Sequence, residues 1–251
     1  MKNLRPNKIK QKLSQGEIST VLMSPVSFSP DMVEFAGQLG FDGIWIETEH
    51  GAIDFKDIPD LTRAADLSGM TSIVRVNFNN EGLIYRTFDV GAQGIVVPHV
   101  DTKNEALAVV QGAKFAPQGK RGNFVGRQGI DVANYFENVN NETLVIVLIE
   151  DIVAVHNLDE ILSVENIDVF CVAPGDLAQS LGHLGNIFHP EVQSTIDSAI
   201  LKIIGANKIA GTLVTDENVT KYVELGVKFL MTSFDPWIKY GAKGFLNKVF
   251  N

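Results

Sequence analysis

The segments TLVIVLIE at 143–150 and IDVFCVAPGD at 167–176 decide how this chain folds. Each is a short β-branched run with an acid at or just past its end, Glu150 in the first and Asp176 in the second. Drawn as consecutive parallel strands of a barrel, their backbones lie roughly 5 Å apart. The two carboxylates then converge at the barrel mouth, at about the span one divalent cation bridges. That pairing predicts a metal enzyme.

The same alternation of strand and helix runs outward in both directions. Strands are predicted at 18–24, 43–49, 72–76, 94–100, 143–151, 167–174, 208–214 and 228–235. Helical stretches such as DFKDIPDLTRAADLSG, NEGLIYRTFDVG, DTKNEALAVVQGAKF and HPEVQSTIDSAILKIIGAN lie between them. Asp54, Asp101 and Asp216 are read as helix openers, and Gly91 and Gly226 as closers. Eight βα units close naturally as a single (β/α)8 TIM barrel spanning 1–251. A doubly wound open sheet is the competing arrangement, but no glycine-rich dinucleotide turn follows the first strand. One connection is long, from near Phe115 to near Thr143 through APQGKRGNFVGRQG. It starts on the face opposite the mouth, so Arg121 and Arg127 are read as subunit contacts rather than catalytic groups.

The bulk properties narrow the function. A chain of 251 residues is ordinary for one such barrel. Its net charge of −9 argues against nucleic acid or an anionic membrane as partner. An anionic substrate then needs a local cation or an arginine. No run is apolar for long enough to span a bilayer. The basic start, MKNLRPNKIKQKLSQGE, lacks the apolar stretch of a secretory signal and is read as a short surface helix. One cysteine, Cys171, excludes an intrachain disulfide and fits a cytoplasmic protein.

Reacting groups of TIM barrels sit at the C-terminal ends of the strands. Here those ends read Glu47-Thr48-Glu49-His50, Arg75-Val76, His99, Glu150-Asp151 and Asp176 on strands two to six, and blandly on seven and eight, where Leu213 is placed as a substrate-lining residue. Two carboxylates suit a hard divalent ion such as Mg²⁺, Mn²⁺ or Co²⁺ and leave positions for a bidentate 2-keto acid. The plainer alternative pairs Glu150 with Arg75 and makes Asp176 a helix cap. Alternation points Arg75 into the lumen, where it serves as partner of Glu150 or as a clamp for a developing oxyanion. His50 beside Glu47 and Glu49 is the candidate general base. His99 is read as pocket lining, and His156, His183 and His189 as ordinary surface histidines. No lysine falls at the mouth, since Lys208 and Lys228 start strands, which argues against imine chemistry.

The segments WIETEHGAIDF, VRVNFNNEGLIYRTFDVGAQGIVVPHVDTKNEA, KFAPQGKRG, LIEDIVAVHNLDEILSVENIDVFCVAPGDLAQSLG and HPEV together resemble the HpcH/HpaI family of metal-dependent pyruvate aldolases. The resemblance runs in order from about Leu39 to Gly226. It implies Glu150 and Asp176 as metal ligands, Arg75 as holder of the keto or enolate oxygen, and His50 as part of the base. It implies that Asp89 forms a dyad with that histidine, across a subunit boundary, and that the amides of Gly175 and Asp176 hold the pyruvate carboxylate. It also implies a hexamer. Two positions depart from the family's usual residues, Glu47 for aspartate and Leu148 for glutamine. The expected reaction is reversible cleavage of a 4-hydroxy-2-keto acid to pyruvate and an aldehyde. An acyl-CoA lyase of the same superfamily and a keto-acid-binding protein without turnover are the alternatives.

Overall fold

The computed structural model describes residues 2–24 and 29–250. Eight strands, β1 (Ser19–Met23), β2 (Gly43–Glu47), β3 (Thr71–Arg75), β4 (Gly94–Val97), β5 (Leu144–Ile149), β6 (Val169–Val172), β7 (Ala210–Leu213) and β8 (Phe229–Ser233), pair in sequence order and close β8 onto β1. All eight pairings are parallel. The predicted TIM barrel is the observed fold. Seven strands lie inside their predicted spans and β3 begins one residue earlier, at Thr71, but most stop short of the polar residues that follow. Glu49, His50, His99, Glu150 and Asp151 therefore sit on turns at the strand ends, where the chain is free to aim them.

The described residues form twelve helices. The first six are α1 (Lys8–Ser14), α2 (Pro30–Gln38), α3 (Ile58–Leu67), α4 (Glu81–Asp89), α5 (Lys103–Ala113) and α6 (Tyr135–Glu142). The others are α7 (Ile152–His156), α8 (Leu158–Leu162), α9 (Pro174–Ser180), α10 (Pro190–Gly205), α11 (Val219–Leu225) and α12 (Asp235–Phe250). Three predicted caps move by a few residues. Asp57 rather than Asp54 precedes α3, Asn218 rather than Asp216 precedes α11, and Thr102 caps α5 in a reciprocal box with Glu105. Gly226 ends α11 at φ 99°, a conformation that glycine reaches without steric cost.

Two apolar layers result. Outward-facing strand residues such as Val74, Ile95 and Val147 pack against the helices, while Val21, Trp45, Ile73, Val96, Ile146, Leu148, Cys171, Phe229 and Met231 fill the lumen. The alternation expected in β3 holds, with Ile73 inside and Val74 outside.

The N-terminal segment differs from the surface helix expected of it. Helix α1 plugs the barrel floor, with Ile9 and Leu13 buried in the lumen cluster. Burying a side chain such as Ile9 contributes about 1.5–3 kcal/mol. Gly43 makes room, because a Cβ there would meet Ile9 Cδ1 at 2.6 Å. The basic residues of α1 have partners on that floor: Lys8 and Lys12 pair with Asp42, and Lys10 with Asp168. Their charge serves docking to the barrel.

The long 116–142 connection also departs from its expectation, since it contains α6. Arg121 is not a surface contact. Its side chain is 1% exposed, lies 3.1 Å from Asp89 and stacks over Phe88 and Phe115. Arg127 likewise pairs within the chain, to Asp66 at 2.7 Å and to the Thr62 hydroxyl at 3.1 Å. The same connection does present Phe124, Val125 and Ile130 to solvent. No helix among the described residues is long and apolar enough to cross a membrane.

Candidate active site

The register of β2 and β3 sets Glu47 directly beside Arg75. Arg75 Nε donates to Glu47 Oε2 at 2.7 Å, and Nη1 lies 2.7 Å from Glu49 Oε2. The second contact is close but lies off the hydrogen-bond direction, since that Glu49 oxygen has no hydrogen-bond partner. The guanidinium is 5.9 Å from the Trp45 ring centroid. Arg75 is thus held by two carboxylates on its own side of the mouth. The alternative that paired it directly with Glu150 is replaced by this arrangement.

Glu47 accepts four hydrogen bonds, from Trp45 Nε1 (3.1 Å), Arg75 Nε (2.7 Å), the Glu49 amide (2.8 Å) and the His50 amide (3.1 Å). A carboxylate has about four lone-pair sites, so all are taken. Glu47, predicted as catalytic, anchors Arg75 and the turn that carries His50 and has no oxygen left to move a proton.

The carboxylate with open chemistry is Glu49, expected from sequence only as a neighbour of His50. His50 Nε2 stands 4.0 Å from its Oε2, and His99 Nε2 stands 3.9 Å from its Oε1. Burial raises its pKa, partly offset by Arg75. His50 itself is 67% exposed on its side chain and open to a substrate entering the mouth.

His99 is more than pocket lining. Its backbone adopts φ 50°, a left-handed conformation uncommon for residues other than glycine. In that conformation its amide donates to Glu150 Oε1 at 2.8 Å, while Nδ1 meets Asp151 Oδ2 at 2.7 Å. The hydrogen bond to Asp151 is the main cause of a raised His99 pKa. In sequence the nearest acid to His99 is Asp101, two residues on, and it is not the partner. The partners come from the adjacent strand, since β4 pairs Val97 with Val147 and brings His99 level with the end of β5.

Glu150 carries the observation that bears most on a cofactor. The side chain is 1% exposed, and Oε1 is occupied by the His99 amide, yet Oε2 is buried with no partner. A buried, unpaired carboxylate oxygen is costly. Burial pushes its pKa up to about 7, and the negative charge of Asp176 adds to the rise. Asp176 stands in the first turn of α9. Two neighbouring acids, one with an unsatisfied buried oxygen, are a donor set that a divalent cation would complete. The residues present fit such an ion.

A pH dependence follows. In the ion-free protein Glu150 prefers its neutral form, so its contribution to stability is complete below its ordinary value of 4.5 and is lost as pH rises to about 7. Glu150→Gln is expected to melt higher than the parent at pH 8 and alike at pH 4, in chelator-treated samples followed by circular dichroism. A parent that gains stability relative to Glu150→Gln between pH 4.5 and 7 would contradict the burial argument.

The remaining predicted residues are dispersed. Leu213 ends β7, packs against the lumen cluster and lines a cavity of about 170 Å³ with Thr215, Ser233 and Trp237. Gly175 is exposed at the start of α9. Asp89 ends α4, which runs from the mouth toward the opposite face, so one chain does not bring Asp89 to His50. Lys208 and Lys228 precede β7 and β8 on the far face, as expected. A further lysine, Lys114, has its pKa pushed down to about 8 by burial. Its Nζ donates to the Asn140 and Thr143 carbonyls at 2.7 Å each, at the start of β5 and away from the mouth. It stabilises the α5–α6 junction and does not reopen imine chemistry.

The sequence profile of the HpcH/HpaI aldolase/citrate lyase family matches residues 20–236. A hydroxypyruvate/pyruvate aldolase of Agrobacterium fabrum is 37% identical over 207 residues, covering 80% of this chain and 78% of that protein. A 2-keto-3-deoxy-L-rhamnonate aldolase of Escherichia coli is 34% identical, covering 94% of this chain and 90% of its own length. The crystal structure of an HpcH/HpaI aldolase/citrate lyase family protein from Burkholderia cenocepacia superposes with a TM-score of 0.90 at 28% identity, over 98% of this chain and 100% of that one. The carbon–carbon lyase read from the sequence agrees with these relatives. By sequence and by fold, this chain belongs to the HpcH/HpaI aldolase/citrate lyase family.

Proposed function

We propose that this protein is a divalent-metal-dependent aldolase that cleaves a 4-hydroxy-2-keto acid reversibly to pyruvate and an aldehyde. The observation that carries the reading is the Glu150–Asp176 pair, with its buried unpartnered oxygen, facing a lumen arginine and an exposed histidine across one mouth. Mg²⁺, Mn²⁺ or Co²⁺ held by Glu150 and Asp176 would supply Lewis-acid polarisation of the keto group.

The chain's own residues do the rest. The amides of Gly175 and Asp176, in the first turn of α9, receive the substrate carboxylate. Arg75 has Nε and Nη1 engaged by Glu47 and Glu49, which fixes the guanidinium plane and leaves Nη2 for the keto oxygen. His50, beside Glu49, takes the C4 hydroxyl proton. The C4–O bond becomes a carbonyl as the C3–C4 bond breaks, and the electron pair moves to the keto oxygen as an enolate. Arg75, itself mostly buried, meets that charge as a preorganised donor. Protonation at C3 releases pyruvate. Leu213 and the cavity it lines form the aldehyde side of the pocket.

Asp89 acts in this scheme only from a neighbouring subunit. The oligomer that it needs is supported by α12, every described side chain of which is exposed from Pro236 onward, including Tyr240, Phe245, Leu246, Val249 and Phe250. Phe35 and Leu39 of the α2 segment add to this uncovered apolar surface, more than a soluble monomer ordinarily presents. Sedimentation analysis is expected to give a hexamer, and a monomer at micromolar concentration would remove Asp89 from the mechanism. The buried, unpaired Cys171 thiol supports a cytoplasmic location.

Pyruvate release from a panel of 4-hydroxy-2-keto acids, with and without chelator, tests the reading. Metal-dependent release supports it, and release that persists undiminished in chelator refutes it. Cleavage confined to coenzyme A thioesters would favour the acyl-CoA lyase alternative.

A further inference from the structure

The connection from α9 to α10 gathers ligating side chains outside the barrel mouth. His183 Nε2 lies 2.7 Å from Glu191 Oε2, and the His183 and His189 rings stack with centroids 3.6 Å apart at 17°. A ring nitrogen from each histidine and a Glu191 oxygen all lie within 4.8 Å of one another. Both histidines are partly buried, and Glu191 is exposed.

The backbone that carries them is tied down. The His183 amide donates to the Ala178 carbonyl at 2.7 Å, the Asn186 amide to His183 at 2.9 Å, and the His189 amide to Asn186 at 3.1 Å. Gln193 Nε2 donates to the Ile187 carbonyl at 2.8 Å. The three side chains are therefore presented from a fixed segment, which lowers the ordering cost of binding.

An ion pair accounts for His183 with Glu191, and a helix cap accounts for His189, whose Nδ1 accepts the Glu191 amide at 3.3 Å. Neither accounts for the stacking of one imidazole on another. One ring nitrogen of each histidine lies within 4.8 Å of a Glu191 oxygen, and neutral imidazole nitrogen is a common metal ligand.

We propose that His183, His189 and Glu191 form a binding site for a borderline divalent cation of the Zn²⁺ type, separate from the carboxylate pair at the mouth. Two imidazoles and a carboxylate are a zinc donor set with one coordination position left open. Glu150 and Asp176, by contrast, offer only oxygen and suit harder ions. Binding displaces the proton between His183 and Glu191. It also opens their contact from 2.7 Å to about 3.3 Å, the spacing of tetrahedral ligands at zinc bond lengths. The Glu191 charge offsets the positive end of α10 at this point. The bound cation ties the first turn of α10 to the segment leaving α9, the helix that carries Asp176. This site does not depend on the aldolase reading.

The test uses the full chain carrying Glu150→Gln and Asp176→Asn, which silences the mouth pair. Zn²⁺ is titrated by calorimetry at pH 7.5 while the imidazole nitrogens are followed by long-range ¹H–¹⁵N NMR. The expected result is one equivalent of Zn²⁺ that shifts the His183 and His189 ring signals and resists millimolar Mg²⁺. His183→Gln and His189→Asn should each weaken it by about tenfold or more. Asparagine keeps the cap of α10 and glutamine keeps a hydrogen bond to Glu191, so both variants retain the local structure. The proposal is overturned if no Zn²⁺ binds, if Mg²⁺ displaces it, or if only His50 and His99 shift. Unchanged affinity in both variants would overturn it equally.

Discussion

Glu150→Gln and Asp176→Asn each lower the affinity for Mg²⁺, Mn²⁺ and Co²⁺ by more than about 100-fold, and retro-aldol turnover falls with it. Changes to residues that merely support a metal ligand cost about 10–100-fold, so loss of one of two charged ligands exceeds that. The substitutions are close in shape. Glutamine still accepts the His99 amide bond that Glu150 Oε1 now accepts, so the turn at His99 is kept. What glutamine lacks is the charge on the buried oxygen that no protein group satisfies. Isothermal titration of chelator-treated protein checks this. A metal titration identical to the parent's in either variant would exclude that residue as a ligand and leave the unpartnered oxygen of Glu150 unexplained.

Arg75→Ala lowers kcat by about 10²–10³, the cost of removing one preorganised donor from a developing oxyanion. It also destabilises the fold, because Glu47 is 2% exposed and loses its ion partner. Breaking a buried pair on one side costs about 3–5 kcal/mol. Arg75→Lys does not recover either property. Two separate guanidinium nitrogens hold Glu47 and Glu49, and an ammonium presents a single point of charge in place of that planar fork. Steady-state kinetics at saturating metal, with thermal melts of the same samples, separate the two effects. Parent-level kcat in a folded Arg75→Ala would end the clamp role.

Much of this barrel was legible because strand and helix alternate cleanly and because β-branched runs such as LVIVLI are too short and too apolar to be anything else. The ends were less so. Polar residues just past a strand read as part of it, and only the observed termination at Glu47 and Val97 shows that Glu49 and His99 are aimed by turns. Glu150 and Asp176 were legible because one topological step, parallel adjacency, brings them together. The same step applied to β4 and β5 would have found His99 with Glu150 and Asp151. Local sequence alone hides that contact, because both acids lie about fifty residues from His99. The saturation of Glu47 had no signal in sequence, since three of its four donors depend on the conformation of a turn or on a neighbouring strand. The burial of α1 was hidden by its lysines, whose charge points to solvent until Asp42 and Asp168 appear beneath them. Arg121 was hidden in the same way, since it lies in a loop and its partner Asp89 ends the distant helix α4.

On this mechanism the mouth makes an enolate of pyruvate with help from a bound divalent ion. Pyruvate incubated in D₂O with chelator-treated protein, then with Mg²⁺, Mn²⁺ or Co²⁺ added, reports that step directly through loss of the methyl proton signal in NMR. The aldehyde need not be known. Exchange is expected to begin on addition of metal, stop with chelator and be lost in Arg75→Ala. Exchange that proceeds equally without metal, or no exchange with any of the three ions in a protein that still binds oxalate, would contradict it.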